Sequence, residues 1–239
     1  MGQRPPHPSQ SQSPARPRPR PWLWIAGTAA GVVVVAAVIF ALVNRPQTRA
    51  PELIVPPGVP QGNGPNGEPA LGSPHARVTI QEFGDFQCPY CGEFARQTAP
   101  RIITSYVATG KARIIWHTLA FIGPESALAG RAAWCAQQRG KFWDYFAILY
   151  QHQDGENTGT FNTARLERWA GDLGMDRTAF GECLVSTQSQ AGLDAGARAA
   201  QHYGIDATPS FVVDGQKATG ALTYEQLSAM IEKALSASR

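Results

Sequence analysis

The 239-residue chain has little cysteine, four in all, and only Cys88 and Cys91 stand in a C-x-x-C arrangement. Cys135 and Cys183 do not form a second such pair, so the four-ligand layout of a structural zinc site is missing. Neither a metal nor a cofactor is expected. A basic face is missing too. The formal net charge of +3 divides into about +4 on residues 1 to 21, from Arg4, Arg16, Arg18 and Arg20, zero across 44 to 73 and about −1 on 74 to 239. The large C-terminal part therefore lacks the clustered basic footprint of a nucleic-acid binder. No internal repeat is evident.

Charge disappears altogether from Trp22 to Val43, a stretch of 22 residues. As a helix it would be roughly 33 Å long, the hydrocarbon thickness of a bilayer. Trp22 and Trp24 sit at one boundary, and the arginines lie just outside, as the interfacial rules ask. One transmembrane helix over 22–43 is expected. The arginine excess ahead of it puts the N-terminus in the cytoplasm and everything after Val43 outside. A cleaved signal peptide is the competing reading, but the apolar core exceeds the usual length and no A-x-A site ends it convincingly. Gly27 and Gly31 form a G-x-x-x-G within the span, a motif that lets two helices approach closely, although small residues are common in such segments.

Residues 1–21, with seven prolines, read as a disordered cytoplasmic tail. Residues 44–73, rich in Pro, Gly and Asn, read as a linker that holds a domain off the membrane. The folded domain is expected over 74–239. Its first strand is Arg77 to Phe83, followed by a helix carrying the C-x-x-C to about Thr109, with a kink at Pro100. Ala112 to Leu119 reads as a strand parallel to the first. Helices then follow over Glu125–Gln151, Asn162–Leu173, Arg177–Leu184 and Gln188–Tyr203, an insertion at about 124–204. A strand Ser210–Val213, a turn at Asp214-Gly215, a closing strand near Lys217–Thr219 and a helix Tyr224–Leu235 capped by Thr223 complete the pattern.

Cys88-Pro89-Tyr90-Cys91 lies where the first strand runs into a helix start. The first sulfur then sits over unpaired backbone N–H groups at the positive end of the helix dipole, which favours a thiolate. Proline is well tolerated at the first helical position. His117, on the second strand, reads as a packed residue, with tuning of the thiolate as the alternative. Trp116, Trp134, Phe142, Trp143, Tyr145, Phe146 and Tyr150 read as core, with a groove for unfolded substrates as the alternative.

FGDFQCPYC, RAAWCAQQRGKFWDYF and ATPSFVVDG together resemble the DsbA-like thiol:disulfide oxidoreductases, members of the thioredoxin superfamily with a helical domain inserted into the fold. The resemblance covers residues 71 to 239 and implies an α/β thioredoxin fold. It implies Cys88 as nucleophile and Cys91 as resolving cysteine. Thr208-Pro209 aligns with a loop whose proline is cis and faces the disulfide, where Thr208 offers its backbone to an extended substrate; Pro89 and Tyr90 belong to the same substrate-facing surface. Glu82, six residues before Cys88, aligns with a buried carboxylate that moves protons to and from the resolving thiol. Ile80 shares its side of the strand, which favours burial.

In an oxidising compartment Cys135 and Cys183, 48 positions apart, are expected to be bonded; two separate buried thiols are the alternative. The expected function is that of a bacterial protein-disulfide oxidoreductase, a dithiol oxidase for reduced secreted proteins, re-oxidised by a membrane-embedded redox partner. A reductase or isomerase of the same fold, and a tethered non-catalytic chaperone, remain open. A Cys88 pKa near 4.5 implies a strong oxidant, one near 7 a reductant.

Overall fold

The strand β3 (Val78–Gly84) owes its central place to alternation: Val78, Ile80 and Glu82 are buried on one face, while Phe83 is buried on the other. A computed structural model describes Gly2 and residues 55–237 of the chain. Apart from Gly2, the tail, the expected span with Gly27 and Gly31, and the first part of the linker lie outside the described residues. Among the described residues no helix is long and apolar enough to cross a membrane.

Strand β3 pairs in parallel with β4 (Ala112–Thr118), with Glu82 opposite Trp116 and Phe83 opposite His117. On its other side it pairs antiparallel with β5 (Ser210–Val213), which pairs with β6 (Gln216–Thr219). Two short strands, β1 (Gln61–Asn63) and β2 (Pro69–Leu71), extend the sheet beyond β4, giving the order β1-β2-β4-β3-β5-β6. These two correct the expected linker. Its second half is folded: Ala70 and Leu71 pair with Ile115 and Ile114, and the Trp143 indole donates to the Ala70 carbonyl at 3.1 Å. Two three-residue strands carry too little alternation to be legible, and a free sheet edge decides their conformation. The domain therefore starts ahead of Pro74.

Helix α1 (Pro89–Gln97) is broken from α2 (Ala99–Ile102) at Thr98, and a π-helical turn over Ile103–Val107 follows. Pro100, which has no N–H to donate, accounts for the break, and the Thr98 hydroxyl bonds instead to the Leu222 carbonyl at 3.0 Å. The insertion holds α3 (Pro124–Gln137), α4 (Phe142–Gln151), α5 (Thr163–Asp172), α6 (Arg177–Leu184) and α7 (Thr187–Tyr203). The helical stretch expected over Glu125–Gln151 holds two helices, because Gly140, at φ +66°, ends the first of them. Side chains of Asn162, Asp176 and Ser186 cap α5, α6 and α7. Helix α8 (Tyr224–Ala237) closes the chain, with the Thr223 hydroxyl accepting from Gln226 N at 3.3 Å.

One core lies on the Ile80 face of the sheet, where Phe94 of α1 meets Phe211 with ring centroids 4.5 Å apart. It runs into the insertion through Phe86, Trp116, Phe146 and Tyr150, whose rings contact one another. The aromatic residues read as core are buried, except that Trp134 is only half-buried. The opposite face, with Phe83 and Val212, is covered by α7 through Ala200 and Tyr203.

Candidate active site

Cys88 is the N-cap of α1, with extended backbone at φ −66°, ψ 117°, and Pro89 opens the helix. Its own N–H bonds to the Asp85 carbonyl at 3.1 Å, while its carbonyl accepts from Gly92 N at 3.1 Å. No acidic residue occupies the first turn, so nothing there opposes a negative sulfur. Across from it the Thr208-Pro209 bond is cis, and the Cys88 thiol donates to the Thr208 carbonyl at 3.4 Å. Tyr90 is 64% exposed beside the pair. Cys88 itself is only 5% exposed, because the Thr208 loop lies against it.

Both thiols are free, and their environments push them apart. The Cys91 thiol, hydrogen-bonded to the Cys88 sulfur, brings the Cys88 pKa down to about 6, against the opposing effect of burial and with further help from the Thr208 side chain and the N–H groups of Cys91 and Tyr90. Burial, then the Cys88 sulfur, drives Cys91 strongly upward. Glu82 is 5% exposed, and burial alone raises its carboxyl to about 8. The buried Tyr150 hydroxyl, raised well above the ordinary tyrosine range first by burial, lies within electrostatic reach of Cys91, Glu82, Asp85 and Cys88 and donates to the Asp85 carbonyl at 3.2 Å.

His117 stands apart from this group. It pairs in register with Phe83, stacks on that ring at 4.5 Å, and its Nε2 lies 2.7 Å from Gln81 Oε1. Burial lowers its pKa to about 4, so the ring is neutral near pH 7. It lines a cavity of about 610 Å³ bounded by β4 and α7, on the Phe83 face of the sheet. The structure keeps it as a packed residue. Cys135 and Cys183 are joined by a disulfide that ties α3 to α6, with Cα atoms 6.0 Å apart.

Several residues around the dithiol escaped the sequence reading. Asp85, fully buried, accepts at its carboxylate from Gln87 N (2.8 Å), Ser126 Oγ (2.6 Å), Phe121 N (3.1 Å) and Ile122 N (3.3 Å). Gln87 bonds to Ser126 and Asn157. A signal was available for those two, since polar side chains within FGDFQC interrupt a segment that runs into the core. No such signal marks Gln153, which donates from Nε2 to Phe86 O (2.8 Å) and Cys88 O (2.9 Å) from 65 positions away.

A family model described as Thioredoxin matches residues 65–233. The Bacillus subtilis disulfide bond formation protein D is 27% identical over 177 residues, covering 71% of this chain and 78% of that protein. The Na(+)/H(+) antiporter NhaA 3 of Salinispora tropica is 30% identical over 177 residues, covering 73% of this chain but 26% of the antiporter. The chain thus spans about a quarter of that relative's length. The oxidised crystal structure of BdbD from Bacillus subtilis superposes with a TM-score of 0.68 at 25% identity, covering 74% of this chain and 98% of that one. A helix-capping C-x-x-C facing a cis proline, a helical insertion between β4 and β5, and these matches agree, and the chain belongs to the DsbA-like thiol:disulfide oxidoreductases of the thioredoxin superfamily.

Proposed function

We propose that this chain is an extracytoplasmic, membrane-tethered dithiol oxidase that introduces disulfides into secreted proteins through the Cys88/Cys91 pair. The observation that carries the reading is the asymmetry of the two sulfurs: one is lowered to about 6 at a helix mouth, the other is buried and raised. A substrate thiolate attacks Cys88 Sγ in the oxidised enzyme, the Cys88–Cys91 bond breaks, and a mixed disulfide forms. Cys91 leaves as a thiolate and takes a proton. Glu82, protonated at neutral pH with its pKa at about 8, is the donor, and the transfer runs toward the more basic sulfur. A second substrate thiolate then attacks the substrate sulfur of the mixed disulfide and expels Cys88 as a stabilised thiolate. The substrate has lost two electrons, and a membrane-embedded redox partner removes them from the dithiol.

The Thr208 carbonyl, Pro209, Pro89 and exposed Tyr90 form the surface that meets an extended substrate. Membrane attachment rests on the uncharged 22–43 segment, with the tail cytoplasmic and the domain outside. The printed name of the Bacillus subtilis relative supports disulfide formation as the outcome.

A second reading draws on one number. A Cys88 pKa of about 6 lies between the 4.5 of a strong oxidant and the 7 of a reductant, so a reductase or isomerase kept reduced across the membrane is favoured by a less depressed value. Alkylation of reduced Cys88 against pH tests the assignment: a midpoint well below 7 is expected, and a midpoint near 8 rejects the oxidase. Trapping the redox state in cells separates the two, since the oxidase is held mainly as the disulfide. A Cys88→Ser variant that retains full biological activity would point instead to a tethered chaperone.

A further inference from the structure

The loop that delivers Cys88 to the helix mouth is held by the insertion along its whole length. The Asp85 carboxylate bonds to Phe121 N, Ile122 N and Ser126 Oγ, and its carbonyl accepts from Tyr150. Gln87 bonds to Ser126 and Asn157. Between these, the carbonyls of Phe86 and Cys88 accept from a single group, Gln153 Nε2, at 2.8 and 2.9 Å. A carboxamide nitrogen has two hydrogens, so one is available for each carbonyl.

Gln153 lies just after α4 and is half-buried. Gly92, in the first turns of α1, leaves the space its side chain occupies: a Cβ built on Gly92 would overlap Gln153 Oε1. The glycine has ordinary helical backbone, so the close approach is the reason for it, not a special φ.

We propose that Gln153 is a positioning residue for the dithiol: by bonding the carbonyls on either side of Gln87 it fixes the peptide planes that enter α1, so that the helical insertion, and not the C-x-x-C alone, aims the Cys88 sulfur at the N–H groups of Tyr90 and Cys91. Hydrogen bonds weaken steeply once the donor is misaligned, so a loop free to turn about Cys88 stabilises the thiolate less. The inference rests on the reading of Cys88/Cys91 as the redox pair. Cys91, driven strongly upward by burial and by its neighbour's sulfur, stays protonated and leaves Cys88 as the thiol that a reagent titrates.

The test uses the purified full-length chain in its reduced form, with iodoacetamide alkylation of Cys88 followed against pH and thermal unfolding measured in parallel. Gln153→Ala is expected to raise the alkylation midpoint by about half to one pH unit, which lowers the rate at pH 6 by about two- to fivefold. Gly92→Ala is expected to shift it the same way although alanine is the better helix former, because the new methyl displaces the end of Gln153, with the tip of the flexible Arg96 side chain giving way beside it. The double variant is expected to match Gln153→Ala alone, since both changes break the same fork. A Gln153→Ala midpoint equal to that of the parent, whatever happens to the melting temperature, overturns the proposal and leaves a packing contact. Additive shifts in the double variant also overturn it. A parent midpoint near 8 sinks the oxidase reading instead, while the difference between parent and variant still reports on Gln153.

Discussion

The four cysteines form two pairs with opposite fates. Cys135 and Cys183 face each other across two insertion helices, Cys135 wholly buried, and they are bonded. Around that bond the contacts are structural, as in Arg139, which donates to the Cys135 and Ala179 carbonyls at 2.9 Å. Cys88 and Cys91 are also shielded from solvent, at 5% and 2% exposure, yet are free thiols. What distinguishes the second pair is its electrostatic setting. A helix mouth and a thiol donor favour charge on one sulfur, and burial forbids it on the other. Burial by itself therefore does not make a cysteine inert; the groups that meet the anion decide its chemistry.

The sharpest way to break this contrast is Cys88→Ser. Transfer of a disulfide to a reduced peptide is expected to fall by at least about a thousandfold, because a serine oxygen cannot carry the exchange. The fold should survive. Residual transfer near the parental rate would mean that the other pair carries electrons.

Replacing Cys135 and Cys183 together by serine is expected to cost about 4 kcal/mol of unfolding free energy at most, the loop-closure value for their separation of 48 residues. Denaturant unfolding measures it. Cys88 alkylation should keep its midpoint, and a shifted midpoint would show that the two pairs are coupled.

Glu82→Gln sharpens the reactive side. The Glu82 carboxyl is raised to about 8 from 4.5, so between those values the folded chain binds a proton that the unfolded chain has released. Its contribution is complete below pH 4.5 and is lost as pH rises toward 8, at about 1.4 kcal/mol per pH unit. The difference in stability between parent and variant should follow that slope and sign. A difference independent of pH would mean that Glu82 ionises freely.

His117 supplies the smallest effect and the opposite sign. Its pKa is lowered to about 4 from 6.5, so its contribution is present above 6.5 and lost as pH falls toward 4. Stability relative to His117→Gln should decline over that window, with little change in Cys88 alkylation because the ring lies on the Phe83 face of the sheet. A matching shift in alkylation would return His117 to the active site.

Much of the fold is legible because its signals are local. The alternation that buries Ile80 and Glu82, the proline after Cys88, the Thr223 cap and the interruption at Pro100 act over a few residues and appear where expected. The β1–β2 hairpin was illegible, as its strands are held by the edge of β4 and by Trp143, which lie far along the chain. Gln153 was illegible for the same reason: a half-buried glutamine in a loop announces nothing until the fold sets it against Phe86 and Cys88.

From the order of its residues alone, the chain specifies a cysteine at the start of a helix, and with it a sulfur inclined to ionise, because helix capping and the peptide dipole work within one turn. How far that inclination goes is left to tertiary structure. The burial of Cys91 and Glu82, the Thr208 carbonyl against Cys88 and the grip of the insertion on residues 85 to 88 all come from segments distant in sequence. Desolvation and hydrogen-bond geometry exist only once those segments are packed together.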